Sequence, residues 1–419
     1  DDAVDMEFGT GVVKVTPAHD QVDFDMWQRH QDEIQGPIQV IDKYGKLNEL
    51  TGKYQGMKVK EARDKIAEEM TEKRFLNPAK TDHNYKHNVA LCYKCGNIIE
   101  PMVLDNQWFV KMTAKPKFGK LSLRDAAVKA VKDKKIVFVP KRMEKVFLHW
   151  MKNLRDWNIS RQITWGIPIP GDESGQVFDT WFSSGQWPFA TLKSTRKGDF
   201  EKFYPTDVME TGWDILFFWI ARMVMLGIYA TEKVPFKTVY LHGLVRDKER
   251  QKMSKSKGNV IDPLGVVDLY GTDALRMALV VGNTPGNDPV IYEEKIKGYR
   301  NFATKIWNAS RFVLMNLEGY KPNSKVLLNT KDKKLIKDFQ KVAKEITKEM
   351  DEFKFYVASE KIYHYFWHTF CDKIIEEQKL RLYPSANSGQ VDKKPARNAS
   401  PARQPEGSHG GGHSDAGRE

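Results

Sequence analysis

The sequence is poor in cysteine. Three cysteines (Cys92, Cys95, Cys371) among 419 residues cannot build a disulfide framework. A reducing compartment is therefore expected, and a stapled secreted domain is excluded. Long apolar runs are missing too. The longest, 215–228, is interrupted by Arg222 and reads as too short to span a bilayer, so no membrane partner is expected. The chain opens on Asp1-Asp2-Ala3-Val4, with neither a methionine nor a signal-peptide pattern, as a cut end would. Acid is also in short supply. Against 67 Lys and Arg stand 55 Asp and Glu, a net charge of +12 at pH 7. That excess points to a polyanion, nucleic acid first, or else to a merely basic surface. With 41% hydrophobic residues, most of the chain can bury a core. At roughly 150 residues per domain, the length implies about three domains.

Four regions follow from patterning. Residues 1–112 read as short strands and turns, with Val12–Val15 as a strand and one clear helix over 59–73, where Ala62, Ile66 and Met70 fall four apart. Residues 113–165 read as mixed, and from 206 to 276 helix and strand alternate. A helix is expected over 144–156, an apolar helix over 214–226, a buried strand over 238–241 and a helix over 263–270. Such alternation is the mark of an α/β layer with a parallel sheet. Residues 293–384 are lysine-rich and helical, with Ile296, Tyr299, Phe302, Ile306 and Phe312 at bundle spacing. Residues 385–419 have no aromatic residue and cannot offset their ordering entropy, so a disordered tail is expected.

The most specific stretch is Lys252-Met253-Ser254-Lys255-Ser256, followed by Lys257-Gly258-Asn259. Two lysines around a short Met-Ser step suit a mobile anion clamp, since an ammonium is a compact charge for phosphate oxygens. Taken alone, the run also fits a solvated loop. Its surroundings decide. Lys252–Ser256 is the KMSKS loop, letter for letter, and the chain resembles the class I aminoacyl-tRNA synthetases over about residues 1–384. Gly212-Trp213-Asp214 with Phe218-Trp219 resembles the class's ribose-binding segment. Leu241-His242-Gly243-Leu244 resembles the strand end that faces adenine. Asp156–Gln162 with Trp165-Gly166, and Asp179–Ser184, resemble the return into the catalytic fold.

The resemblance implies a Rossmann-like catalytic domain (its second half, over 113–292), part of an inserted β-rich editing domain (1–112) and an α-helical anticodon-binding bundle (293–384). It implies ATP with Mg²⁺ as the energy source, bound by Gly212, Asp214, His242, Gly243, Lys252, Met253, Ser254, Lys255 and Ser256, with Lys252 and Lys255 acting on the phosphates. Within the valine, isoleucine and leucine subgroup, Thr16-Pro17-Ala18-His19-Asp20 and Asp214–Trp219 are of the valine type. Valine and its tRNA are the implied partners, with an isoleucine or leucine type as the alternative. Trp181, Ile215 and Trp219 would then wall a dry valine slot. Such a slot rejects nearly isosteric threonine poorly, so a second, hydrolytic site is needed. Lys14, Thr16, Asp20 and Asp23 match its positions, although the two acids alone fit a solvated turn.

Cys92-Tyr93-Lys94-Cys95 has the spacing of half a Zn²⁺ site, which His83 and His87 would complete; a metal-free turn is the other reading. Arg300, Lys305 and Arg311 share one helix and are the expected tRNA contacts. The class's H-x-G-H motif is absent from these 419 residues, so a chain incomplete for catalysis is expected. A cytoplasmic monomer completes the reading. Two alternatives remain open, a noncatalytic tRNA-binding remnant and a truncated editing hydrolase.

Overall fold

The computed structural model describes residues 1–7, 12–81, 86, 88–93, 95–117, 119, 121–321 and 327–383. The chain divides into two compact units, residues 1–111 with 156–179 and residues 112–155 with 180–419. In the first unit, helix Val59–Glu72 places Ala62 and Ile66 against Ile41 and Leu47, on the spacing read from the sequence. A second helix, Gln21–Arg29, was not expected. Asp20 starts it, because its Oδ1 accepts the N–H of Val22 at 2.7 Å and of Asp23 at 3.1 Å.

Strand is scarcer in this unit than expected. Among the described residues of 1–112, isolated bridges aside, the one strand is Phe109–Val110, antiparallel to Trp157–Asn158. The described part of this region is not β-rich. Val12–Val15 forms no strand, although its valines favour one. Thr16 donates its backbone N–H to Asp23 at 2.7 Å and Pro17 has none to donate, so no ladder can continue from there. A further pair joins Ser160–Arg161 to Val177–Phe178. Buried Asp179 accepts from the Trp157 indole at 2.9 Å and from Arg161 at 2.8 Å.

The second unit has the expected α/β layer. Its three strands, β1 (Val137–Val139), β2 (Thr206–Gly212) and β3 (Phe236–His242), are all parallel, in the order β1-β3-β2. Central β3 buries Phe236, Val239 and Leu241 completely or nearly so. The helix expected over 144–156 runs Arg142–Lys152 and stops where the Asn153 side chain donates to the His149 carbonyl at 3.2 Å. Between β2 and β3 the crossover is helical from Trp213 to Thr231, changing from a 3₁₀ turn to a π turn at Leu216–Ala221 and an α-helix from Arg222. At 19 residues it is long and apolar enough to cross a membrane by length and composition, which corrects the reading of 215–228 as too short. Half of it is buried, with Ile220, Ala221, Met223 and Val224 fully covered, as in a core helix.

Beyond the sheet the unit is helical. Pro263–Tyr270 starts at a cap from Asp262 with Pro263 in the first turn. Glu293–Asn316 buries Ile296 beside Ala274, Ala278 and Ile291, and further along buries Phe302. Thr330–Asp351 opens on an Asn329–Asp332 capping box. Phe355–His364 follows, then a π stretch to Ile375 and a last helix to Leu382. The expected tail over 385–419 lies outside the described residues.

Because Leu241 is fully buried in the central strand, Leu241→Ala should cost about 2–5 kcal/mol through lost burial and a cavity. Val208→Ala, at a position 42% exposed on β2, should cost under about 1 kcal/mol. Urea denaturation followed by tryptophan fluorescence distinguishes the two, and equal losses would mean that β3 is not the core strand.

Candidate active site

Parallel strands end together in this sheet, and the crevice beyond their carboxyl ends is where open α/β folds bind ligands. Gly212 of β2 is paired in register with His242 of β3. A glycine stands at or just after each strand end, and at Gly243 the facing backbone leaves no room for a side chain. A Cβ on Gly212 would lie 2.7 Å from Asp214 Oδ1, and one on Gly243 would lie 2.0 Å from the carbonyl oxygen of Asn287. The His242 ring is held by its surroundings, with Nδ1 2.7 Å from the Gly243 carbonyl and Nε2 3.2 Å from Glu210. Asp214 is exposed beside them. The expected ribose and adenine segments are thus brought to one edge.

The lysine loop leaves from the same edge. Arg246 and Lys252 bridge its two sides, Met253 donates its N–H to the Val245 carbonyl at 3.2 Å, and Gln251 donates its N–H to Asp247 at 2.7 Å. Asn259 braces the tip from within. Its amide donates to Asp247 at 2.6 Å while its side-chain carbonyl accepts the Ser254 N–H at 2.9 Å. The Asn259 contact, with further backbone donors, holds the Asp247 carboxyl below its usual pKa. Residues 255–257 make one 3₁₀ turn closed by Gly258 at φ +68°. Lys252 and Lys255 are exposed and form no ion pair with any described residue, so both ammonium groups can meet an anion. The Ser256 side chain lies outside what is described.

A carboxylate that the sequence did not single out ties these segments together. Asp288 Oδ1 accepts the Trp213 indole N–H at 3.0 Å and the Leu244 backbone N–H at 2.8 Å, and its Oδ2 accepts Arg246 Nε at 2.6 Å. Partial burial pushes its pKa up, but the three donors outweigh that and hold it below the usual carboxylate value. No motif announces it, since an acid in a Gly-Asn-Asp-Pro turn reads as loop polarity.

Around the expected amino-acid slot, Trp181 stacks on Phe218 at 5.8 Å, and the Trp219 indole donates to the Ser184 carbonyl at 3.0 Å. Ile215 and Trp219 both sit at or inside the widened helical turn, a feature frequent at functional sites. Arg222 lies over the Phe217 and Phe218 rings.

In the first unit, Thr16 donates both its N–H and its hydroxyl to Asp23 Oδ2, at 2.7 and 2.9 Å. Asp20 caps the adjoining helix and Lys14 is exposed nearby in sequence. His19 accepts the Val40 N–H at Nε2 (3.1 Å), which leaves the proton on Nδ1 for Glu100 Oε1 at 2.8 Å. Cys92 and Cys95 belong to a tight turn, with the N–H of Gly96 donating to the Cys92 carbonyl at 2.8 Å. Among the described residues no third His, Cys, Asp or Glu joins them, and His83 and His87, which would complete the expected set, lie outside the described residues.

The expected tRNA contacts separate. Lys305 pairs with Asp372 at 3.0 Å and lies over the Trp367 ring, Arg300 lies over Tyr270, and Arg311 is exposed. A broader basic surface lies one helix on. Lys333, Lys334, Lys337, Lys341, Lys344 and Lys348 of helix Thr330–Asp351 are all exposed, and at 3.6 residues per turn they fall within an arc of about 100°. The lysine count was visible in the sequence, and the helical wheel is the signal that would have found the stripe.

Residues 31–171 and 172–291 match the family described as tRNA synthetases class I (I, L, M and V), and residues 332–400 match the anticodon-binding domain of tRNA ligase. The valine–tRNA ligase of Clostridium tetani is 45% identical over 416 residues, covering 91% of this chain and 45% of that protein. That of Dehalococcoides mccartyi strain CBDB1 is 44% identical over 417 residues, covering 92% of this chain and 46% of its own. The chain therefore spans less than half the length of these curated relatives. In fold it is similar to the crystal structure of Mycobacterium tuberculosis methionyl-tRNA synthetase bound by methionyl-adenylate, with TM-score 0.52 at 19% identity over 87% of this chain and 70% of that one. Sheet, lysine loop and family match agree, and the chain belongs to the class I tRNA synthetases of the isoleucine, leucine, methionine and valine group.

Proposed function

We propose that this chain is the nucleotide-binding and tRNA-contacting portion of a valine–tRNA ligase. The observation that carries the reading is the exposed pair Lys252 and Lys255, with no ion-pair partner among the described residues, on a braced loop beside the strand ends Gly212 and His242. Its valine assignment is supported by 45% identity to valine–tRNA ligases. In the proposed reaction a valine carboxylate oxygen attacks the α-phosphorus of ATP. The bond to pyrophosphate breaks, and valyl-adenylate forms. A terminal ribose hydroxyl of tRNA then attacks the valyl carbonyl and AMP leaves. ATP enters as its magnesium complex. Little covalent work falls to the protein, which positions the groups and neutralises charge. Gly212 and Gly243 let the backbone approach the nucleoside, Asp214 would accept from the ribose, and Trp181, Ile215 and Trp219 would exclude water around a small branched side chain. The work would be done in the cytoplasm, by a monomer.

A second, hydrolytic activity on threonyl-tRNA has one specific support, the convergence of Thr16 and Asp23 next to Asp20. Asp23 would read the threonine hydroxyl, Asp20 the free ammonium and Lys14 the terminal nucleotide.

Two measurements test the main reading. In a chimera that supplies the remaining sequence of the Clostridium tetani relative, Lys255→Ala should lower the rate of adenylate formation by about 10²–10³, as loss of one well-aimed donor to developing charge does. Valine affinity should stay unchanged, because the charge on departing pyrophosphate grows only in the transition state. A stopped-flow result with slower binding and intact chemistry would refute the assignment.

For tRNA, the exposed lysine stripe is the proposed platform. Log affinity should fall linearly with log salt, and replacing Lys337, Lys341 and Lys344 together by alanine should reduce that slope by about 2–3. Arg300→Ala or Lys305→Ala should change it by less than about 1, since both side chains already have partners. Filter binding between 50 and 200 mM salt, roughly the range in which such contacts respond, reads both. An unchanged slope in the triple variant would remove the stripe from the interface.

A further inference from the structure

We propose that Asp288 is a positioning residue that latches the root of the lysine loop to the two strand ends, so that the phosphate clamp and the nucleoside-binding edge keep one geometry; the proposal rests on the adenylation reading above. Three segments, distant in sequence, converge on this one side chain. Trp213 follows β2, Leu244 follows β3 and Arg246 begins the loop. All three donate to the carboxylate, two to one oxygen and Arg246 to the other, and the side chain is only 16% exposed. Arg246 passes the constraint outward, because its NH1 donates to the Arg250 carbonyl at 3.0 Å near the loop's tip.

The backbone around Asp288 cannot give way. Residues 286–291 run beside 241–246, with the Gly286 N–H on the Leu241 carbonyl at 2.7 Å, the Arg246 N–H on the Pro289 carbonyl at 2.9 Å and the Ile291 N–H on the Arg246 carbonyl at 3.0 Å. Arg142 clamps the outside, its guanidinium donating to the Gly286 carbonyl at 2.8 Å and to Asn287 Oδ1 at 2.8 Å. Gly243 lets this strip lie against β3 at a distance that no Cβ would permit. The root of the loop is therefore fixed while Lys252 and Lys255 beyond it stay exposed.

Limited trypsin digestion of this chain without nucleotide tests the latch, with cleavage mapped by mass spectrometry. Cleavage follows the open population of the loop. Asp288→Asn keeps an acceptor for Trp213 and Leu244 but turns an amide toward Arg246. It should speed cleavage after Lys252, Lys255 and Lys257 about tenfold, the scale of one charge-assisted hydrogen bond. Cleavage after the exposed lysines of helix Thr330–Asp351 should not change. Arg246→Ala should give the same rise, and the double variant no more than either alone, because both remove one contact. A loop-specific rise that does not add supports the latch. Unchanged loop cleavage, a rise everywhere or effects that multiply would overturn it. Should Asp288→Asn lose its circular dichroism signal, Arg246→Ala decides alone, and unchanged loop cleavage in that variant overturns the latch. A parallel digestion with MgATP, carried out on the chimera because the chain alone lacks the H-x-G-H motif, separates the two ideas. If MgATP fails to protect the wild-type loop while the variants still loosen it, the adenylation reading falls and the latch stands.

Discussion

One carboxylate, largely withdrawn from water, sets the geometry of the sheet's working edge. A side chain like that of Asp288 would be costly to bury alone, and three donors are what make it tolerable. In meeting that demand the chain also fixes where Trp213, Leu244 and Arg246 stand. The same requirement fixes the glycine at 243. With residues 286–288 held against β3, there is no room for a Cβ at 243, whereas one at 212 would meet only the movable Asp214 carboxylate. Motif residues that look like ligand contacts in the sequence are thus also conditions for the edge to close.

Most of the second unit was legible because its signals are local or periodic. The helix over 263–270 carries its own cap and proline, and the buried run at 238–241 has the apolar density that a central parallel strand needs. The lysine loop was readable for a different reason, that five letters and their neighbours resemble a known pattern. What the sequence hid is long-range. Asp288 lies 75 residues from Trp213 and 42 from Arg246, and no periodicity connects them. Lys305 misled in the same way: its charge reads as surface, yet Trp367 and Asp372 from another helix capture it. In the first unit, valines at 12–15 carry strand propensity, but propensity cannot supply a partner ladder next to Thr16 and Pro17. Helix Gln21–Arg29 was hidden by the opposite error, since Asp20 was read for ligand chemistry when its first task is a cap.

Charge is distributed to match this division. Acids of helix Thr330–Asp351 face its neighbours, with Glu345 and Glu349 engaging Lys361 at 3.2 and 3.4 Å. The lysines collect on the opposite side from Leu335, Phe339, Val342 and Ile346, which line an apolar groove. The net charge of +12 is therefore a poor summary of the chain. Part of it is paired with acids, as at Lys305, and part is concentrated where a polyanion would feel several charges at once.

The π turn at Leu216–Ala221 has a consequence for how this region can change over time. A π turn is an α-helix holding one surplus residue, so its shape is a matter of count as well as chemistry. Deleting any one residue there would relax the backbone to ordinary helix, yet rotate everything upstream by about 100° relative to the buried face beyond it. Ile215 would leave the side it shares with Trp219. Substitutions can be tried one at a time at these positions, but insertions and deletions cannot. Change at this turn would have to come by exchanging side chains on a backbone of constant length.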